Sequence, residues 1–80
     1  MRLPRDLSGA ELVKRLGRLG YTVSRQTGSH IRLSCAQPGR HHVTVPVHDP
    51  LRIGTLAAVL DAVCQHHALS RDALLQRLFD

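Results

Sequence analysis

The sequence predicts a small α+β fold in which two main helices cover one face of a three-stranded antiparallel sheet. Three observations point there: a capped amphipathic helix near the start, three short alternating segments joined by tight turns, and an apolar helical pattern after Pro50. Eighty residues leave room for one core, so residues 1–80 are expected to form a single domain.

Ser8 opens the first helix, predicted over 8–19. Glu11 stands three residues later, as in a capping box, and Leu7 and Leu12 occupy the staple positions. Leu12, Val13, Leu16 and Leu19 form the apolar stripe; Lys14, Arg15 and Arg18 lie off it, and Gly20 stops the helix. Extended segments follow at 21–25, 29–36 and 41–47. Gln26-Thr27-Gly28 and Gln37-Pro38-Gly39-Arg40 turn the chain between them, which makes the sheet a meander. Pro46 marks an edge or an end of the third strand. The second helix, at 55–66, buries Leu56, Val59, Leu60 and Val63. Ser70 caps a short last helix whose Leu74, Leu75 and Leu78 face inward. This order, α-β-β-β-α plus a short α, leaves the second sheet face to solvent or a ligand.

The formal net charge is +5, and it is uneven. Residues 1–52 carry nine Lys/Arg against three Asp/Glu, a local +6, whereas residues 53–80 carry two against three. A polyanion surface therefore belongs to the first two-thirds of the chain. All but one of the basic residues are Arg, the better partner for bidentate phosphate contacts. Tyr21 and Phe79 are the sole Phe, Tyr or Trp residues, which argues against base stacking as the main mode of recognition. Cys35 and Cys64 form no CxxC pair and read as buried thiols. No apolar run has the length of a signal peptide core or a membrane span, so the expected location is cytoplasmic.

Strand alternation then sorts the histidines. Ile31, Leu33 and Cys35 are predicted to face the helices, with His30, Arg32 and Ser34 on the open side. Val43, Val45 and Val47 are predicted inward, which turns His42, Thr44 and His48 outward. A histidine can move protons in both directions at neutral pH. Beside arginines that hold a phosphate, it can deprotonate a ribose 2′-OH or protonate the leaving 5′-oxygen. RNA brings its own nucleophile, so the protein need supply only positioning, proton transfer and charge stabilisation. His30 is the candidate catalytic residue. Lys14, Arg25, Ser29, Arg32 and His42 are candidate RNA contacts, and Gly28 is the structural turn residue. His41 and His42 also read as ordinary strand-surface residues, and His66 and His67 as favourable positive charge at a helix end. The spacing over 41–48 matches no metal-ligand motif, and Gly28-Ser29-His30 lacks the spacing and lysine of a phosphate loop, so no metal or cofactor is expected.

Several stretches together resemble the HicA-type (YcfA-like) mRNA interferase toxins. They are Ser8-Gly9, Gly20-Tyr21, Arg25-Gln26-Thr27-Gly28-Ser29-His30, Val43-Thr44-Val45-Pro46-Val47-His48 and Ile53-Gly54-Thr55-Leu56, in the family's order. The resemblance implies a fold like that of double-stranded-RNA-binding domains. It also implies mRNA cleavage that blocks translation, a HicB-type antitoxin partner, and a catalytic histidine at His30 preceded by the family's Gly28 and Ser29. In two places the chain departs from the family: no aromatic residue lies near Ala73-Leu74, and Cys64-Gln65-His66-His67 replaces a glycine-containing link. The main alternative is a non-catalytic RNA-binding module of the double-stranded type. Residues 53–63 contain no Lys or Arg, which argues against long-duplex binding. A DNA-binding accessory protein and a purely structural protein are the remaining alternatives. The second helix has almost no base-reading side chains apart from Gln65.

Overall fold

The computed structural model describes residues 3–79. Its elements run α1 (Gly9–Leu16), β1 (Thr22–Thr27), β2 (His30–Cys35), β3 (His41–Pro46), α2 (Ile53–His67) and α3 (Arg71–Phe79). The sheet has the order β1-β2-β3 with both pairs antiparallel, the meander that the two turn sequences dictate. Ser8 caps α1, its Oγ accepting the Glu11 N–H at 3.0 Å, and Gly17–Leu19 tighten the exit into a 3-10 turn. Ser70 caps α3 in the same way, accepting from the Ala73 N–H at 3.1 Å.

The core lies between the helices and the inner face of β2 and β3. Leu12, Leu16, Leu33, Val45, Leu60 and Leu74 are sealed from solvent within it, and no polar or charged side chain is buried among the described residues. The helices do not reach β1. All six of its residues are exposed, including Val23, which shares the helix side with its buried partner Leu33 yet remains 53% exposed.

Three sequence expectations need correction. Gln26 and Thr27 are not turn residues; they pair with Ile31 and His30 at the end of β1, which leaves the turn to Gly28 and Ser29. Tyr21 does not open the first strand; it precedes β1 and is buried at 3% exposure. Val47 does not face inward. The strand ends at Pro46, and Val47 sits beyond the last residue of β3, 40% exposed. Its N–H still donates to the Ser29 carbonyl at 2.6 Å, which fastens this end of β3 to the turn before β2.

The start of α1 is fixed by a close approach. The Gly9 N–H donates to the His48 carbonyl at 2.8 Å, and a Cβ at Gly9 would lie 2.1 Å from the Pro46 oxygen. At its other end α1 holds α3: Arg15 and Arg18 each donate through Nη1 to the Leu78 carbonyl at 3.1 Å. Cationic groups at a helix C-terminus satisfy its free carbonyls and favour its dipole. Two of the arginines in the basic part of the chain thus have structural work.

Gly9→Ala should destabilise the fold by about 1–3 kcal/mol, because backbone on both sides must move to admit the methyl group. Gly54 faces open space, so Gly54→Ala should be neutral or stabilising by up to about 1 kcal/mol. Denaturant unfolding of both variants checks the contrast; equal losses would show that Gly9 is not tightly opposed.

Candidate nucleic-acid interface and active site

Residues directly opposed in an antiparallel ladder share one face. The register therefore builds the open face row by row. His30 opposes Thr27 and Pro46, Arg32 opposes Arg25 and Thr44, and Ser34 opposes Thr22 and His42. Arg25 owes its place to an irregularity. In an unbroken strand it would share the helix side with Val23, but β1 carries a bulge between Val23 and Arg25. Ser24 is the extra residue, and the bulge brings both it and Arg25 to the open face. Ser24 Oγ donates to the Arg32 carbonyl at 3.2 Å and accepts from Ser34 Oγ at 2.9 Å, which pins the bulge to β2.

The result is a shallow groove of about 610 Å³ whose lining includes Ser24, Arg25, Arg32, Ser34, Arg40 and His42. Like charges placed directly opposite each other across strands are destabilising. Arg25 and Arg32 are so placed, and neither lies in a core that would justify the arrangement. An anion between them reverses the cost. Arg40 is a groove residue that the sequence reading treated only as part of a turn. The available signal was its position one residue before β3, beside His42.

His30 stands at the first position of β2, exposed, at the other end of this face. Gly28 adopts φ +57, a left-handed conformation that glycine enters without strain, and so lets the chain reverse directly before Ser29 and His30. The Val47–Ser29 and Gly9–His48 hydrogen bonds then gather residues 28–30, residues 46–48 and the start of α1 at one end of the sheet. Stretches far apart in sequence meet there. Arg25, Ser29, Arg32 and His42 thus lie on or beside the open face, with His30 at its edge. Lys14 does not join them. It is exposed on α1, in the helical layer on the other side of the sheet. His41 opposes Cys35 and so turns toward the helices instead of lying on the strand surface.

A family model described as the HicA toxin of bacterial toxin-antitoxin systems matches residues 9–63, well over half of the chain. The chain belongs to the HicA toxin family. Membership makes the general role that of an mRNA-interferase toxin with an antitoxin partner, and the α-β-β-β-α order agrees with a double-stranded-RNA-binding-domain-like fold. No curated protein and no solved structure matches this HicA-family chain. Among the described residues, no helix is long and apolar enough to cross a membrane.

Arg25→Ala and Arg32→Ala should each weaken binding of a single-stranded RNA and lower the slope of log affinity against log salt by about 0.7. Lys14→Ala, on the opposite layer, should leave that slope unchanged. A titration series from low to moderate salt decides this, and an equal effect from Lys14 would mean that the RNA also runs over the helices.

Proposed function

We propose that this HicA-family chain is a metal-independent endoribonuclease in which His30 moves the proton and the arginines of the open face hold the phosphodiester. One observation carries the reading. An exposed histidine, set by the Gly28 turn, shares a sheet face with two directly opposed arginines.

The chemistry follows from what those groups offer. Arg25 and Arg32 neutralise non-bridging phosphate oxygens and orient the strand, with Ser29 and His42 as further contacts. The ribose 2′-oxygen attacks the adjacent phosphorus as the bond to the 5′-oxygen breaks. The products are a 2′,3′-cyclic phosphate and a free 5′-hydroxyl. His30 either takes the 2′-OH proton or supplies the proton for the leaving oxygen; its exposed position at the edge of the face gives it access to either. Because the nucleophile lies within the substrate, no metal-bound water is required. Lys14, exposed on α1 in the helical layer, takes no part in holding the RNA at this face.

The same face accounts for control. A HicB-type antitoxin carrying acidic groups would cover His30 and pair with Arg25, Arg32 and Arg40 on the open face. The chain is proposed to act as one unit over residues 1–80, in the cytoplasm, where mRNA is available and the free thiols of Cys35 and Cys64 stay reduced.

Cleavage of a defined single-stranded RNA in the presence of chelator tests the proposal. His30→Ala should slow cleavage by about 10²–10⁴-fold while RNA binding and fold persist. A 2′-deoxy residue at the cleaved position should abolish cutting by the wild type. If wild type and His30→Ala cut alike, His30 is not the proton-transfer group. RNA binding without cleavage by the wild type would favour the non-catalytic module.

A further inference from the structure

We infer that Cys35, His66 and His67 form a binding site for a zinc-type transition-metal ion, which staples the end of β2 to the C-terminal turn of α2. One ligand atom from each of these three residues lies within 4.8 Å of the others. The donor set, one thiol and two imidazoles with no carboxylate, is the kind that selects zinc over calcium or magnesium.

The surroundings are arranged around that cluster. The His66 Nε2–H donates to the Gly39 carbonyl at 2.9 Å, and His67 Nε2 meets the Tyr21 hydroxyl at 3.1 Å. A carbonyl and a hydroxyl oxygen of this kind are the partners that orient metal-bound imidazoles elsewhere. His41 lies beside the cluster without joining its donor set. Its ring stacks on His66 with centroids 4.2 Å apart, and its Nε2 is removed from solvent with no hydrogen-bond partner among the described residues. A buried, unpaired ring nitrogen is costly unless something occupies its lone pair or takes its proton.

The cluster is partly withdrawn from solvent. Burial, then the nearby His66, His67 and His42, hold His41 below the ordinary histidine range. Burial, then His66 and Arg77, do the same for His67. Burial, with a hydrogen bond to the Cys35 thiol, keeps Tyr21 a phenol well above its ordinary range, so it orients its neighbours without competing as an anion. On binding, the Cys35 S–H proton passes to solvent and the sulfur ligates as thiolate.

The site is distinct from the proposed RNA chemistry. Cys35 and His30 occupy opposite ends of β2, about 17 Å apart at the rise of an extended strand. The inference therefore does not rest on the nuclease reading, and its role is stabilisation. In an 80-residue chain with a thin core, a metal bound only by the folded state adds directly to stability.

Metal-free full-length protein titrated with Zn²⁺ and with Co²⁺ provides the test. Expected are one-to-one uptake, a sulfur-to-cobalt charge-transfer band in the Co²⁺ form, and a rise in Tm of about 10 °C at a hundredfold excess of zinc over its Kd. Cys35→Ser and His66→Gln, each checked for fold by circular dichroism, should weaken uptake by more than about tenfold. His42→Ala and His48→Ala should bind as the wild type does. The cobalt band needs no variant, so the test survives if Cys35→Ser fails to fold. Absence of saturable uptake, a cobalt complex without the sulfur band, or loss of binding in the exposed-histidine variants instead would overturn the site.

Discussion

The hydrogen bond from the Gly9 amide to the His48 carbonyl, made where no Cβ fits against Pro46, sets the frame for everything else in this structure. It seats the start of α1 on the end of β3. From there Leu12 and Leu16 reach the core, and Arg15 and Arg18 reach the last carbonyl turn of α3. A second bond, from the Val47 N–H to the Ser29 carbonyl, holds residues 46–48 against the turn that carries Ser29 and His30. A helix seated elsewhere would leave those motif residues on separate elements with nothing to align them.

The arginines divide into two kinds by what they touch. Arg15 and Arg18 are held by backbone carbonyls, so their charge is spent within the fold. Arg25 and Arg32 oppose each other across β1 and β2 with no ion-pair partner among the described residues, an arrangement that costs the free protein energy. The bulge at Ser24 enforces it. An edge strand tolerates such a kink because β1 carries no core side chains whose packing would be lost. The strand that contributes least to stability is thus the one free to be shaped for binding.

The histidines divide likewise. His30 and His42 stand exposed on the open side, at the two ends of the ladder. His41, His66 and His67 meet around Tyr21 and Cys35 at the junction of sheet and helices. Proton transfer needs access to a substrate. Ligation needs a neutral ring, shielded and held by a second contact. The first group is exposed, whereas the second is half-buried, with His66 and His67 held by the Gly39 carbonyl and the Tyr21 hydroxyl.

Element order, the Ser8 and Ser70 caps, the meander and the outward placement of His30 and Arg32 were legible in the sequence. Capping, turn chemistry and alternation act over a few residues, so local pattern suffices to read them. The family motifs were legible for the same reason: they are short, ordered strings. The rest depended on contacts between residues far apart in the chain. A bulge changes which face Arg25 takes, yet nothing in Thr22-Val23-Ser24-Arg25 announces it, because its hydrogen bonds are made by Arg32 and Ser34 on β2. The exposure of Val47 followed from where the ladder ends, and the removal of Lys14 from the site followed from which layer α1 occupies. The meeting of Cys35 with His66 and His67 required α2 to cross the sheet at one angle and register. Local propensity dictates which elements form; packing, a constraint on the whole chain at once, decides which side chains meet.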